Sequence, residues 1–466
     1  MQFSEKMTRL ETRATVALAS IYGLRMLGMF LILPIFAIYA EKLEGGSNHT
    51  LIGLALGAYG FMQVIFQLPF GIASDRLGRK KLIYVGLILF AIGSVCAATA
   101  TDIYMVIIGR AIQGAGAISA VITALVADST REEHRTQAMA MIGATIGLTF
   151  AVSLVLGPVL NQYIGVPGMF WLMAALSIVA IAVVKFGVPT PVNAHVHSDA
   201  QAVPARMREV LKDTQLLRLN FGTFCLHGAQ MAMFMVVPFA IKHSTGLNEN
   251  LHWKIYLPVL IVSFLLMVPV IIYAEKKAKL KPVFVSAVAL MMLTQIAFIF
   301  SLDSLTGIVL ALFSYFLAFN ILEATLPSLI SKMAPVAAKG TAMGVHNTAQ
   351  SFGMFLGAAM GGCLSNYFGS SAGGAVFLIC AIAMLVWLGL ALGMQPPPSV
   401  KTKMFNIQGY NDSEAAQLAQ DVRAMEGVFE AVAIPSETML MVKLENQRSK
   451  EFQATLSQAI MNRIGS

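Results

Sequence analysis

Apolar residues run through this chain in long blocks, and polar residues gather in the short gaps between them. A membrane-crossing helix needs about 20 mostly apolar residues. Twelve stretches satisfy that requirement: 14–40, 50–73, 82–100, 103–127, 137–162, 167–188, 219–242, 253–275, 283–302, 304–331, 341–367 and 372–394. Alternation with a period of two is missing from them, which excludes a transmembrane barrel and leaves helices as the spanning element. The first block runs on without a small-residue cleavage site, so it predicts a retained helix and not a signal peptide.

The pattern changes twice. "PTPVNAHVHSDAQAVP" opens the longest polar interval, and "ARMREVLKDTQLLRLN" after it predicts an amphipathic basic helix at the lipid surface. After Met394, "QPPPSVKTK" predicts a stiff linker. Beyond it "MFNIQGY", "VFEAVAIP" and "TMLMVKLE" predict strands, while "DSEAAQLAQDVRAMEG" and "RSKEFQATLSQAIMNRI" predict amphipathic helices. The β-α-β-β-α order predicts a small ferredoxin-like α+β domain. The expected organisation is a six-helix bundle over 10–190, a cytoplasmic linker over 191–218 and a second six-helix bundle over 219–395. A Pro-rich linker over 396–403 and a ferredoxin-like cytoplasmic domain over 404–466 complete it. The fold class is an all-α polytopic membrane protein of 6+6 transmembrane helices carrying that small soluble domain.

Composition agrees with this reading. The 466 residues are 57% hydrophobic and only 12% charged, against roughly a quarter charged in soluble domains. The net charge of +8 sits in alternate gaps, which turns it from a nucleic-acid signal into a topology signal. Arg76, Arg79, Lys80 and Lys81, then Arg131 and Arg135, then Lys276, Lys277, Lys279 and Lys281, then Lys332 and Lys339 share one side. Both termini and the middle loop fall on that side, which the positive-inside rule makes cytoplasmic. Cys96, Cys225, Cys363 and Cys380 each lie inside an apolar block without metal-ligand spacing, so neither a disulfide framework nor a metal centre is expected. His195 and His197 in the polar interval, and a loop after the first strand that lacks Cys and His, do not change that expectation.

The two halves resemble each other. "ALVADSTREEHRTQAMAMIG" (124–143) aligns with "SLISKMAPVAAKGTAMGVHN" (328–347), matching Leu125 to Leu329, Arg135 to Lys339, Ala138 to Ala342 and Met139 to Met343. Equivalent positions in the two halves point to duplication.

"GIASDRLGRKK" (71–81) concentrates charge between two apolar blocks through Gly71, Asp75, Arg76, Gly78, Arg79 and Lys80. With twelve helices in two related halves, this loop resembles the signature of the major facilitator superfamily over residues 10–395. Together with the C-terminal domain, the chain looks like the YajR-type transporters of bacteria. The resemblance implies residence in the bacterial cytoplasmic membrane. It also implies a latch on the cytoplasmic side. Gly78 permits the tight turn, and Gly71 lets a neighbouring helix approach. Asp75 is expected beside the start of helix eleven, capped by Thr341, where the helix dipole favours a carboxylate by about 0.3–1 kcal/mol. Arg79 is expected to reach Asp128, with Arg135 nearby. "GRAIQGAGAISA" matches the family's helix-four pattern through Arg110, Gln113, Gly114 and Gly116, and Gly157 and Pro158 match the antiporter motif of helix five. Asn161 and Gln162 stand where that motif has a glycine pair.

Three polar groups lie deep in apolar blocks: Arg25, His227 and Glu323. An intramembrane carboxylate is a functional candidate by default, and histidine titrates near neutrality. Helices one, four, seven and ten line the cavity in the resembled family. Arg25, Arg110, Gln113, His227 and Glu323 are therefore the candidates for the cavity and for proton coupling, with Arg25 a counter-charge or anion contact. Gln63, Gln67, His346, Asn347 and Gln350 read as helix–helix hydrogen bonds or pathway lining. The expected function is secondary active efflux of a small organic compound or drug against inward protons. A proton-coupled importer or facilitator of a metabolite and a membrane sensor acting through the C-terminal domain are the alternatives. An enzyme is not expected, since the chain has no nucleotide-binding loop, nucleophile elbow or metal triad. No cofactor is expected beyond the proton gradient. The expected partners are the lipid bilayer, protons and a small molecule, with no nucleic acid. The C-terminal domain is left with a regulator or self-association, and the transport unit is expected to be a monomer.

Overall fold

A computed structural model describes residues 7–130, 132–189, 204–335, 338–396, 400–435, 438–445 and 450–464. Its membrane part is helical throughout: α1 (Arg9–Leu31), α2 (Phe36–Ala40), α3 (His49–Leu77), α4 (Arg79–Ala98), α5 (Ile103–Ala115), α6 (Ser119–Ser129) and α7 (Glu132–Gly187) make the first group. After α8 (Pro204–Lys212) come α9 (Thr214–Thr245), α10 (Trp253–Lys276), α11 (Leu280–Ser301), α12 (Leu305–Met333), α13 (Lys339–Phe368) and α14 (Ala372–Leu392).

The spans start where side chains satisfy the orphan amides of a helix N-terminus. Thr8 and Glu11 form a reciprocal capping box at α1, and Asn48, Asp102 and Ser304 cap α3, α5 and α12. Three blocks differ from their sequence reading. The first is broken between Leu31 and Phe36, where Pro34 lacks an amide, so one span is α1 plus α2. The fourth is broken between Ala115 and Ser119, giving α5 and α6. The fifth and sixth run together as α7, turned only at Gly165, whose φ is 65°.

The basic segment 205–220 also differs from its expectation of a single surface helix. Asp213 accepts from the amides of Gln215 and Leu216 and so starts α9 there. Only α8 remains as a separate helix. It packs on α9 and α13, with Val210 buried.

Within the first group α1 packs on α7, and α4 packs on α5 and α7; within the second α11 packs on α12 and α14, and α9 on α13 and α14. The groups meet through α3 against α13 and α7 against α10. At the end of the bundle opposite the chain termini, here the distal end, α3 and α13 are in backbone contact. A Cβ at Gly53 would overlap the Ala358 carbonyl, and one at Gly362 the His49 carbonyl. Lys42 pairs with Glu249 at 2.9 Å, and Asn161 Nδ2 donates to Asn250 Oδ1 at 2.7 Å, each joining the two groups. The distal end is therefore sealed.

The C-terminal domain consists of β1 (Val400–Asn406), α15 (Asp412–Arg423), β2 (Val428–Ile434), β3 (Met439–Glu445) and α16 (Lys450–Ile464). The sheet is antiparallel in the order β1-β3-β2, as the ferredoxin-like reading requires for its first three strands. The first strand begins earlier than "MFNIQGY" suggests, because Ile407–Tyr410 forms the turn into α15. Ile407, Leu418, Val422, Leu440, Val442, Leu444 and Ile460 form its core.

Candidate functional site: a histidine–glutamate pair and a basic loop

α9, α12 and α13 bring together three side chains far apart in sequence. His227 Nε2 lies 3.3 Å from Glu323 Oε2 and 2.8 Å from the Gln350 side-chain nitrogen. His227 Nδ1 lies 3.0 Å from the Thr223 carbonyl. A carbonyl only accepts, so Nδ1 carries the proton and the neutral ring has its lone pair on Nε2. In that tautomer Nε2 accepts from the Gln350 side-chain amide, while a proton placed on Nε2 is donated to Glu323 Oε2 instead. His346 Nδ1 lies 3.0 Å from the Thr223 hydroxyl, which itself donates to the Leu219 carbonyl. Phe319 packs edge-on against His227 at 6.0 Å. The Glu323 side chain is 34% exposed and that of His227 only 4%.

The first group holds a separate polar network. Arg25 Nη1 donates to Ser119 Oγ at 2.8 Å. Arg110 Nη1 donates to Gln113 Oε1 at 2.9 Å, and Gln113 Nε2 donates to Ser94 Oγ at 2.7 Å. Both guanidiniums approach the Tyr59 ring, at 5.9 and 5.0 Å from its centroid. Arg25 and Arg110 are buried, Arg110 to 1% exposure. Arg25 Nε and Nη2 and Arg110 Nε make no hydrogen bond, and neither guanidinium has an acid partner among the described residues. The expected cavity candidates form two hydrogen-bonded groups, Arg25–Ser119 with Arg110–Gln113–Ser94 and His227–Glu323–Gln350, and Arg25 and Glu323 both act electrostatically on Tyr22. Gln63 bonds the Gly114 carbonyl at 2.7 Å, a helix–helix contact.

In the charged loop, Gly78 takes φ 99° and ends α3. Arg79 Nε bonds Asp128 Oδ2 at 3.1 Å and Nη1 bonds Ser74 Oγ at 2.6 Å. Lys80 donates to the Val188 carbonyl, and Arg76 is exposed. The side chains of Asp75 and Arg135 lie outside the described residues. Two expectations are corrected. Gly71 has nothing among the described residues within 4 Å of where a Cβ would sit, so none of the described helices packs closely on it in this conformation. Thr341 does not cap α13, which starts at Lys339 after Ala338, without a side-chain cap. Gly157 does sit against another backbone, packing on the Leu31 carbonyl beside Pro34.

The equivalent loop of the second group, "YAEKKAKLKP", keeps Glu275 and a basic run but not the glycine turn, and the structure gives Glu275 a partner. Glu275 pairs with Lys332 at 2.9 Å, joining the ends of α10 and α12. The turn that lacks glycine is made by Ala278, at φ 53°. The basic run "EKKAKLK" was the available signal, but a left-handed alanine has none. An apolar cleft between α7 and α10, lined by Val155, Leu156, Val159, Leu257, Ile261 and Phe264, holds no titratable group.

Residues 18–358 match the Major Facilitator Superfamily. The chain is 41% identical over 457 residues to the inner membrane transport protein YajR of Escherichia coli, covering 98% of each chain. The chain belongs to the major facilitator superfamily. As a member it is a multi-pass membrane transporter. It is also 25% identical to the multidrug resistance protein MdtH of Aeromonas hydrophila, over 73% of this chain and 85% of that one. The fold is shared with the human organic anion transporter MFSD10 at a TM-score of 0.63 and 18% identity, covering 82% of this chain and 100% of that one. In this superfamily member the distal contacts and the His227–Glu323 pair occur in one conformation.

Proposed function

We propose that this transporter exports a small organic compound in exchange for protons, with His227 and Glu323 carrying the proton. The observation that carries the reading is the 3.3 Å approach of His227 Nε2 to Glu323 Oε2 between three membrane helices, a contact that a proton on Nε2 strengthens. Similarity to MdtH supports the outward direction. The cytoplasmic membrane is the proposed location, with both termini cytoplasmic, so that the distal seal faces outward. The basic loop is proposed as the latch that closes the cytoplasmic side in the opposite conformation, through Asp75, Arg79, Asp128 and Arg135.

Energised inside-out vesicles test the coupling. Compounds of cationic, neutral and anionic classes are added outside while lumenal pH is recorded. One class should discharge the gradient with wild-type protein and fail to do so with Glu323→Gln. Discharge by both, at equal expression, would sink the assignment.

A second reading has its own observation. Two buried guanidiniums without an acid partner favour an anionic substrate. An anion near Arg25 and a proton near Glu323 stabilise each other electrostatically, so such a compound travels with the proton and inward. In the same vesicles, discharge by an anion loaded in the lumen, and not by one added outside, would replace export with import.

A further inference from the structure

β3 is buried on both faces, and the domain's own helices cover only one of them. Leu440, Val442 and Leu444 face α15 and α16. Met439, Met441 and Lys443 point the other way, and the strand register sets them beside Ile434, Val432 and Glu430 of β2. On this second face Met441 is 0% exposed and Lys443 is 2% exposed. A lysine is almost never so buried without partners. Lys443 has two: Glu430 Oε2 at 3.0 Å, and the backbone carbonyl of Ala334 at 2.7 Å. Ala334 is the residue that ends α12, and it is itself fully buried.

The last carbonyls of a helix have no partner within it, and a cation there is favoured by the helix dipole. A lysine of the helix itself often supplies that bond; here it comes from another domain. The joint that Lys443 touches connects α12, which bears Glu323, to α13, which bears His346 and Gln350. Ala334 lies eleven residues beyond Glu323 on a continuous helix, about 16 Å along its axis. Gln395 is tied to Gln215 at the base of α9, and only residues 396–399 separate it from β1. So short a tether keeps the domain at high effective concentration over the joint.

We infer that the C-terminal domain is docked on the transport body through the second face of its sheet, with Lys443 capping α12 from outside the helix and steadying the α12–α13 joint. The inference goes beyond the proposed function and does not depend on substrate or direction. The domain is then part of the moving carrier, and undocking it slows the carrier without altering its proton site.

The test uses the full-length protein in detergent micelles and hydrogen exchange read by peptide. Lys443→Gln should speed exchange over 330–338 by about tenfold, while β3 and α15 stay protected. Glu430→Gln, which leaves the Lys443–Ala334 bond in place, should leave 330–338 unchanged. In wild type, Lys443 should resist acylation by a water-soluble amine reagent that modifies the exposed Lys277. Acylation of both at equal rates would overturn the docking, even if Lys443→Gln failed to fold. In vesicles, Lys443→Gln should transport severalfold more slowly with an unchanged half-saturating substrate concentration. Lost protection with a normal rate would overturn the link to transport.

Discussion

Arg79 illustrates what one side chain does in a loop of many charges. Its guanidinium spends Nε on Asp128 and Nη1 on Ser74, so it ties the start of α4 to the ends of α3 and α6. The pair is mostly buried, with 11% and 6% exposure. Removing one partner of a buried pair costs about 3 kcal/mol, and Arg79→Ala should destabilise the protein by that order in a denaturant titration. Arg79→Lys keeps the charge but loses the two-pronged geometry, and should fall between the two. Equal stability of Arg79→Ala and wild type would show the pair to be incidental. This pair was legible, because the loop motif names its arginine and the end of helix four offers one acid. The His227–Glu323 contact was not: each residue was a candidate alone, and only helix packing set the 3.3 Å between them.

α3 and α13 form the contact that the halves share, and its chemistry is the absence of side chains. Gly53 and Gly60 let the α3 backbone approach Ala358 and Ser351. Gly53→Val should push the distal ends apart. In a variant without native cysteines, Ala358→Cys, buried against Gly53 in the wild type, should then react faster with an impermeant maleimide from the distal side. An unchanged rate would mean that the helices bend to absorb the Cβ. The proposed latch belongs to the opposite ends of the same two helices. Asp75→Asn should abolish transport and leave thermal stability unchanged; normal transport at equal expression would remove Asp75 from the latch. The turn after α10 shows how an element can keep a shape its sequence conceals. Ala278 takes a left-handed conformation costing roughly 1–2 kcal/mol, and the Glu275–Lys332 pair ties the helix before it, α10, to α12.

The whole molecule is shut distally by contacts gathered on one short turn. Glu249 and Asn250 are neighbours on a 3-10 turn (Glu249–Leu251) between α9 and α10, and they reach Lys42 and Asn161 of the other group. Lys42 is largely exposed, so the ion pair contributes about 1 kcal/mol or less. Glu249→Gln combined with Asn250→Ala should therefore shift the population toward distal opening by about fivefold. Spin labels across the distal end would read that as a longer distance; an unchanged distribution would assign the seal to the α3–α13 contact alone. At this scale the sequence by itself determined the number of spans, the helical class, the six-plus-six repeat and the small α+β domain. Those follow from local hydrophobic length and period, which need no knowledge of neighbours. Tertiary structure alone decided where span four breaks, that His227 and Glu323 meet, and that Lys443 bonds the end of α12. Each of these depends on which backbones and side chains meet across helices, and no local pattern in the chain records that.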